Sequence, residues 1–96
     1  MKARFSGTAL SEIEHSLDWL GARNPAAAQT LSRAISGTIA RLEKFPHSGM
    51  ATSDQKIRTT VVLKFGYRLF YEIDGQELRI LHVRHGARDW PDDKGA

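Results

Sequence analysis

The side chains best suited to move a proton or hold a phosphate are gathered in the second half of this sequence. Residues 81–90 read LHVRHGARDW, an apolar strand pattern that turns cationic and brings His82, Arg84, His85 and Arg88 close together. Lys56, Arg58, Lys64 and Arg68 precede them, with no acid between Lys56 and Tyr71; Arg79, Arg84 and Arg88 follow, again with no acid among them. Residues 1–55, by contrast, carry six basic and five acidic side chains. The net charge of +3 is mild. Its segregation matters more, because a local excess of cations attracts phosphate or an acidic protein partner. Charge along a strand also serves, in other proteins, only to keep a sheet edge from pairing.

Phosphate chemistry gives these residue types distinct tasks. Arg68 and Arg88 can clamp a scissile phosphate through paired N–H donors, while Lys56, Arg58 and Lys64 hold an RNA backbone and offset developing negative charge. An imidazole such as that of His85 suits proton transfer when a 2′-hydroxyl attacks its own phosphate. That reaction needs no metal. The four histidines, His15, His47, His82 and His85, show no ligand spacing with carboxylates, so neither a metal nor another cofactor is expected. Cysteine is absent, which excludes disulfides, thiolate metal sites and cysteine nucleophiles. A blander role exists for several of these residues. His85 reads equally as a surface or cap histidine, His82 as a residue at the core margin, and Tyr67 and Tyr71 as core. Arg68, between Tyr67 and Leu69 in a strand pattern, calls for contact with a ligand or partner.

The elements that must position these groups fit one domain over residues 1–96, with 91–96 frayed. The start, MKARFSGTAL, lacks a signal-like apolar run and no segment reaches membrane-spanning length, so a cytosolic location away from membranes is expected. KARF reads as a first strand. SGTALSEIEHSLDWLG reads as a helix, with Leu10, Ile13, Leu17 and Leu20 at helical spacing, Thr8 as its cap and Gly21 as its stop. NPAAAQTLSRAISGTIARLEKFP supplies a second helix, capped by Asn24, entered at Pro25 and ended by Pro46. Its inward stripe is Ala28, Leu31, Ile35, Thr38, Ile39 and Leu42. Gly37 at mid-helix predicts a close approach to another element, and Trp19 with Leu20 is assigned to the core.

After a polar loop, HSGMATSDQ, the pattern changes to strands: KIRTTVVLK, GYRLFYEI and ELRILHVRH. The predicted fold class is therefore α+β: an N-terminal strand, an antiparallel helical hairpin, then a three-stranded antiparallel meander with the helices on one face. Asp74–Gly75 reads as a two-residue hairpin turn, which pairs Ile73 with Gln76 and sets the rest of the register. One face then holds Tyr71, Leu78, Leu69, Ile80 and Tyr67, with His82, Phe65 and Arg84 at its far end, and packs under the helices. The opposite face holds Arg68, Lys64 and His85 as a group, with Arg88 just beyond the strand.

Taken together, the hairpin ending in LEKFPHSGM, the strand GYRLFYEIDG and the terminal ILHVRHGARDW resemble the RelE/ParE superfamily of bacterial type II toxins over roughly residues 3–90. The resemblance implies a small basic toxin neutralised by a cognate antitoxin that wraps it, in a toxin–antitoxin hetero-oligomer. RelE-like members cut mRNA on the ribosome. In that pattern Arg68 matches the arginine of the YRLxY strand and Arg88 the arginine after the last strand, with Lys56, Arg58 and Lys64 among further basic positions. The RelE subgroup adds a C-terminal tyrosine. Here the end reads DWPDDKGA, without one, and His85 stands in its place as proton carrier. ParE-like members instead poison DNA gyrase and need no nuclease residues. The expectation is ribosome-dependent, metal-independent mRNA cleavage, with gyrase inhibition as the alternative and a fold retained only for antitoxin-linked repression as a third.

Overall fold

The computed structural model describes residues 1–62 and 65–85. Strand β1 (Lys2–Phe5) leads into helices α1 (Gly7–Arg23) and α2 (Pro25–Lys44), followed by a 3-10 turn at Pro46–Ser48. Four strands complete the chain: β2 (Met50–Ala51), β3 (Ile57–Val62), β4 (Tyr67–Asp74) and β5 (Glu77–His85). All five form one sheet in the order β1-β5-β4-β3-β2, antiparallel except that β1 runs parallel to β5. The architecture is α+β, as the sequence pattern predicts. The short β2 and the parallel β1–β5 pairing extend the predicted meander on both sides.

Local chemistry explains the helix ends. Ser6, rather than Thr8, caps α1: its hydroxyl accepts from the Ala9 N–H at 2.9 Å and donates to the Leu81 carbonyl at 3.0 Å. Its own N–H donates to the Ile80 carbonyl at 2.9 Å, so one residue both leaves the sheet and starts the helix. The helix does not stop at Gly21, which lies inside it opposite Ala28, where an added Cβ would meet the Ala28 methyl at 3.7 Å. Asn24 alone makes the link, as C-cap of α1 and N-cap of α2, accepting from the Ala27 N–H at 3.1 Å.

The core lies between α2 and the sheet. Leu31, Ile35, Ile39 and Leu42 of the predicted stripe, with Ala9 of α1, pack on Val62, Leu69, Tyr71, Leu78, Ile80 and Val83. Each fully buried aliphatic side chain here contributes roughly 1.5–3 kcal/mol. Thr38 is also buried and turns its hydroxyl back to the Ala34 carbonyl at 2.8 Å. Two expectations are corrected. Trp19 is not core but 53% exposed, with the Arg23 guanidinium 4.0 Å over its ring; an arginine four residues on covers the indole at the surface. Gly37 marks no close approach, since a Cβ there would meet nothing within 4 Å.

The hairpin register differs from the predicted one in two steps. Asp74 pairs with Glu77, so the turn is Gly75–Gln76, with Gly75 at φ +62. This slip of two residues leaves Tyr71 beside Ile80 and Ile73 beside Leu78, and the packed face is unchanged. Beyond Tyr71 the ladder carries a β-bulge: Phe70 pairs with His82, which leaves Leu81 as the extra residue. Val83 and His85 thereby move to the helix side, opposite Leu69 and Tyr67. His82 and Arg84 move to the open side, the reverse of the predicted sorting. The bulge falls where β1 ends opposite Ile80 and α1 takes over the edge of β5.

Candidate functional site

The sheet end remote from the Gly75–Gln76 turn holds the chemistry-bearing side chains. On the face away from the helices, Arg68 stands directly across from Arg84. Two like charges at such a position oppose each other, and α1 supplies the relief. Glu12 accepts from the Arg84 guanidinium through one oxygen and from the Val83 N–H, at 3.0 Å, through the other. The His82 Nδ1 lies 3.4 Å from the same carboxylate, and its ring stands edge-on to buried Phe70 with centroids 6.5 Å apart. One carboxylate thus caps the β5 edge past Ile80, where β1 ends, and meets both Arg84 and His82.

On the helix side of the same end, His85 stacks edge-on against Tyr67, with ring centroids 5.4 Å apart. Gly66, at φ +69, sits close by: a Cβ on it would lie 3.7 Å from the His85 Nε2. Between these rings and α1 opens a cleft of about 470 Å³, bordered by Ser11, His15 and Ser16 from the helix and by Tyr67, Arg84 and His85 from the sheet. His15 is a functional candidate that the sequence did not single out. Its only signal there is a position three residues after Glu12, outside the apolar stripe.

The hairpin end is different. Lys56 lies just before β3, while Val61 is the β3 residue opposite Arg68; five strand steps put them roughly 17 Å apart. Arg58 pairs across from Tyr71 and donates to the carbonyls of Gly49 and His47 at 2.9 and 3.3 Å. It ties the loop after α2 to the sheet. Beside it the Tyr71 hydroxyl donates to the Pro46 carbonyl at 2.7 Å and accepts from the Gly49 N–H at 2.9 Å. Burial pushes the Tyr71 phenol above its ordinary value of 10.0, against smaller downward pulls from the Gly49 hydrogen bond and the Arg58 and Arg41 charges. No side chain fits at Gly49, where a Cβ would fall 2.4 Å from the Tyr71 oxygen.

The six residues singled out in the sequence therefore do not converge. Arg68 and His85 share one end but opposite faces, Lys56 and Arg58 sit towards the other end, and Lys64 and Arg88 lie outside the described residues. Among the described residues no group of three histidine or acidic side chains is placed to hold a metal ion. No described helix is long and apolar enough to cross a membrane.

Residues 3–90 match the family model of the ParE toxin of the type II toxin–antitoxin system parDE. None of the curated proteins matches the chain in sequence. Among solved structures, the fold is similar to a chain of the chromosomal ParDE toxin–antitoxin system from P. aeruginosa. That similarity has a TM-score of 0.76 at 16% identity and covers 88% of this chain and 95% of the other. It is also similar to the isolated E. coli RelE toxin, with a TM-score of 0.60 at 14% identity over 98% of this chain and 93% of that one.

Proposed function

The chain belongs to the ParE toxin family of type II toxin–antitoxin systems, and from that premise we propose that it arrests growth by binding and inhibiting DNA gyrase. A cognate antitoxin holds it in check until the toxin is released. The observation that carries this reading over a nuclease is the separation of Arg68 from His85 across the sheet. Phosphodiester cleavage needs its clamp and its proton carrier at the same phosphate, within hydrogen-bond reach of the reacting oxygens. A binding poison has no such requirement.

The second reading, ribosome-dependent mRNA cleavage with Arg68, His85 and Arg88 as catalytic groups and Lys56, Arg58 and Lys64 on the RNA, draws on one feature. Arg68 and Arg84 stand side by side on the open face, an arrangement suited to a phosphate. Induced expression with parallel labelling of DNA and protein synthesis, alongside a supercoiling assay with purified gyrase, separates the two. Inhibited supercoiling with intact transcripts and early continuing translation is the expected result. Cleaved ribosome-bound mRNA with unaffected gyrase would overturn it in favour of the nuclease. In that case replacing Arg68 and Arg88 together by alanine abolishes killing while leaving the chain folded.

A further inference from the structure

We propose that the outer face of the helical hairpin, turned away from the sheet, docks a second copy of this chain about a two-fold axis parallel to α1 and α2. None of the residues it uses enters either reading of toxicity, so it is tested separately from the cellular target.

The starting observation is an apolar groove on a face that meets water. Leu10, Ile13 and Leu17 of α1, with Phe5 from the end of β1, form one wall, and Ser32 and Ser36 of α2 lie across from them, around a space of about 180 Å³. Leu10 is 47% exposed and Phe5 39%. The solvent side of an amphipathic helix is ordinarily polar, and an apolar strip rimmed by polar residues marks a surface that meets a partner.

Charge selects the partner. Glu14 and Asp18 follow Leu10 at four-residue steps along α1, and Arg33 lies beside Ser32 and one turn from Ser36 on α2; all three charged side chains are exposed. The register of the hairpin is fixed where Gly21 faces Ala28. Counting five residues back along α1 and five forward along α2 from that point sets Arg33 level with Ser16, between Glu14 and Asp18. One rim of the groove is thus acidic and the other basic, at the same height. A two-fold axis parallel to the helices keeps height and exchanges left for right, so α1 of each copy lies on α2 of the other. Each Arg33 then falls between Glu14 and Asp18 of the opposite copy. An isologous contact needs a surface complementary to itself, and the opposed rims supply it. A uniformly acidic or uniformly basic helix would be repelled at one rim. Shape agrees with charge, because by the same count Leu10 is level with Ile39 and descends on α2 between the small side chains of Ser36 and Ala40.

Size sets the strength. Helix α1 has 17 residues, about 25 Å at its rise per residue, and two packed helices are about 20 Å across. The face therefore offers on the order of 500 Å² per copy, below the roughly 800 Å² of a standard stable complex. The dimer is weak and concentration-dependent, and the open face of the sheet stays clear in both copies.

The test is sedimentation velocity of the full chain, freed of its antitoxin, from about 5 μM to about 500 μM. The mass should rise from one chain to two, with a dissociation constant on the order of 100 μM. Arg33→Glu, and Glu14→Arg combined with Asp18→Arg, should each weaken association at least about tenfold with unchanged thermal unfolding. All three substitutions together restore the pairing with the signs exchanged, and should return affinity to within about threefold of the parent. Arg79→Ala, on the sheet, should change nothing. A chain still monomeric at about 500 μM, a dimer indifferent to Arg33→Glu, or a folded triple variant that fails to recover would each overturn the proposal. Leu10 and Leu17 methyl resonances that shift on adding the cognate antitoxin, but not on concentrating the chain, would overturn it in favour of the antitoxin as the occupant of the groove.

Discussion

The two ends of the sheet are built from the same kinds of residue and put them to different uses. At the Gly75–Gln76 end, Arg79 reaches Glu72 and Asp74 at 3.5 Å each, and Arg4 pairs with Glu77 at 2.8 Å. Arg58 is taken up by backbone carbonyls, and Tyr71 locks the loop after α2. At the other end, Arg84 and His82 meet Glu12 of α1, Arg68 stands across from Arg84, and His85 and His15 border the neighbouring cleft. What distinguishes the ends is the supply of acceptors. Acids within the strands and loop carbonyls neutralise one end from inside the fold. At the other end the acid that Arg84 and His82 meet, Glu12, comes from a helix.

If the hairpin end is structural, its keystone should be the most costly residue to alter. Gly49→Ala drives a methyl into the Tyr71 hydroxyl, and relief requires breaking the contacts to Pro46 or Gly49. The expected loss is about 3 kcal/mol, combining overpacking with an unsatisfied buried group, measured by urea denaturation. A loss below about 1 kcal/mol would mean that the loop yields easily and the contrast between the ends is weaker than the geometry implies. Tyr71→Phe strikes the same point from the other side and should cost about 1–3 kcal/mol. It also changes the response to alkali. Because burial raises the folded phenol above 10.0, the unfolded chain loses this proton first. The stabilisation is complete below pH 10 and declines as pH rises through the folded value. Absorbance at 295 nm should show a late tyrosine transition coincident with unfolding, and Tyr71→Phe should remove it.

The borrowed acid at the opposite end comes next. Glu12→Ala takes away the acceptor of the Val83 N–H and the carboxylate that meets Arg84. About 1–2 kcal/mol should be lost, while Glu12→Gln, which keeps an acceptor for the N–H, should lose less. Amide exchange at Val83 reports the same contrast directly. Exchange no faster in Glu12→Ala than in the parent would remove Glu12 as the acid that sets this end apart.

The sequence shows why one end was easier to read than the other. Caps at Asn24 and Pro25, the apolar stripe of α2 and the period-two strands are local signals, and they predict the helices, the meander and most of the buried face. Lys56, Arg58, Arg68 and His85 also announce themselves as cations in strands. Their grouping is not local. It depends on the bulge between Phe70 and Tyr71, which falls where β1 ends opposite Ile80. Nothing within ELRILHVRH marks Leu81 as the extra residue, so His85 was placed on the wrong face and His15 could not be linked to it. Trp19 misled for a related reason: its spacing with Leu20 suits burial, but Arg23 offers a surface partner four residues on.

The smallest effect tests the comparison where it is most easily mistaken. Arg79 makes two ion pairs, and a tally of ion pairs would rank it level with Glu12. Its side chain is 48% exposed and that of Asp74 63% exposed, and both distances are 3.5 Å, so solvent screens what the pairs gain. Arg79→Ala should change stability by less than about 0.5 kcal/mol, and added salt should shrink the difference further. Glu12 makes a comparable number of contacts, but one of them satisfies a part-buried backbone N–H that salt does not replace. Urea denaturation of both variants at low and high salt therefore separates screening from structure. A cost above about 1 kcal/mol for Arg79→Ala that survives high salt would show the hairpin end to be held by its charges rather than merely neutralised by them.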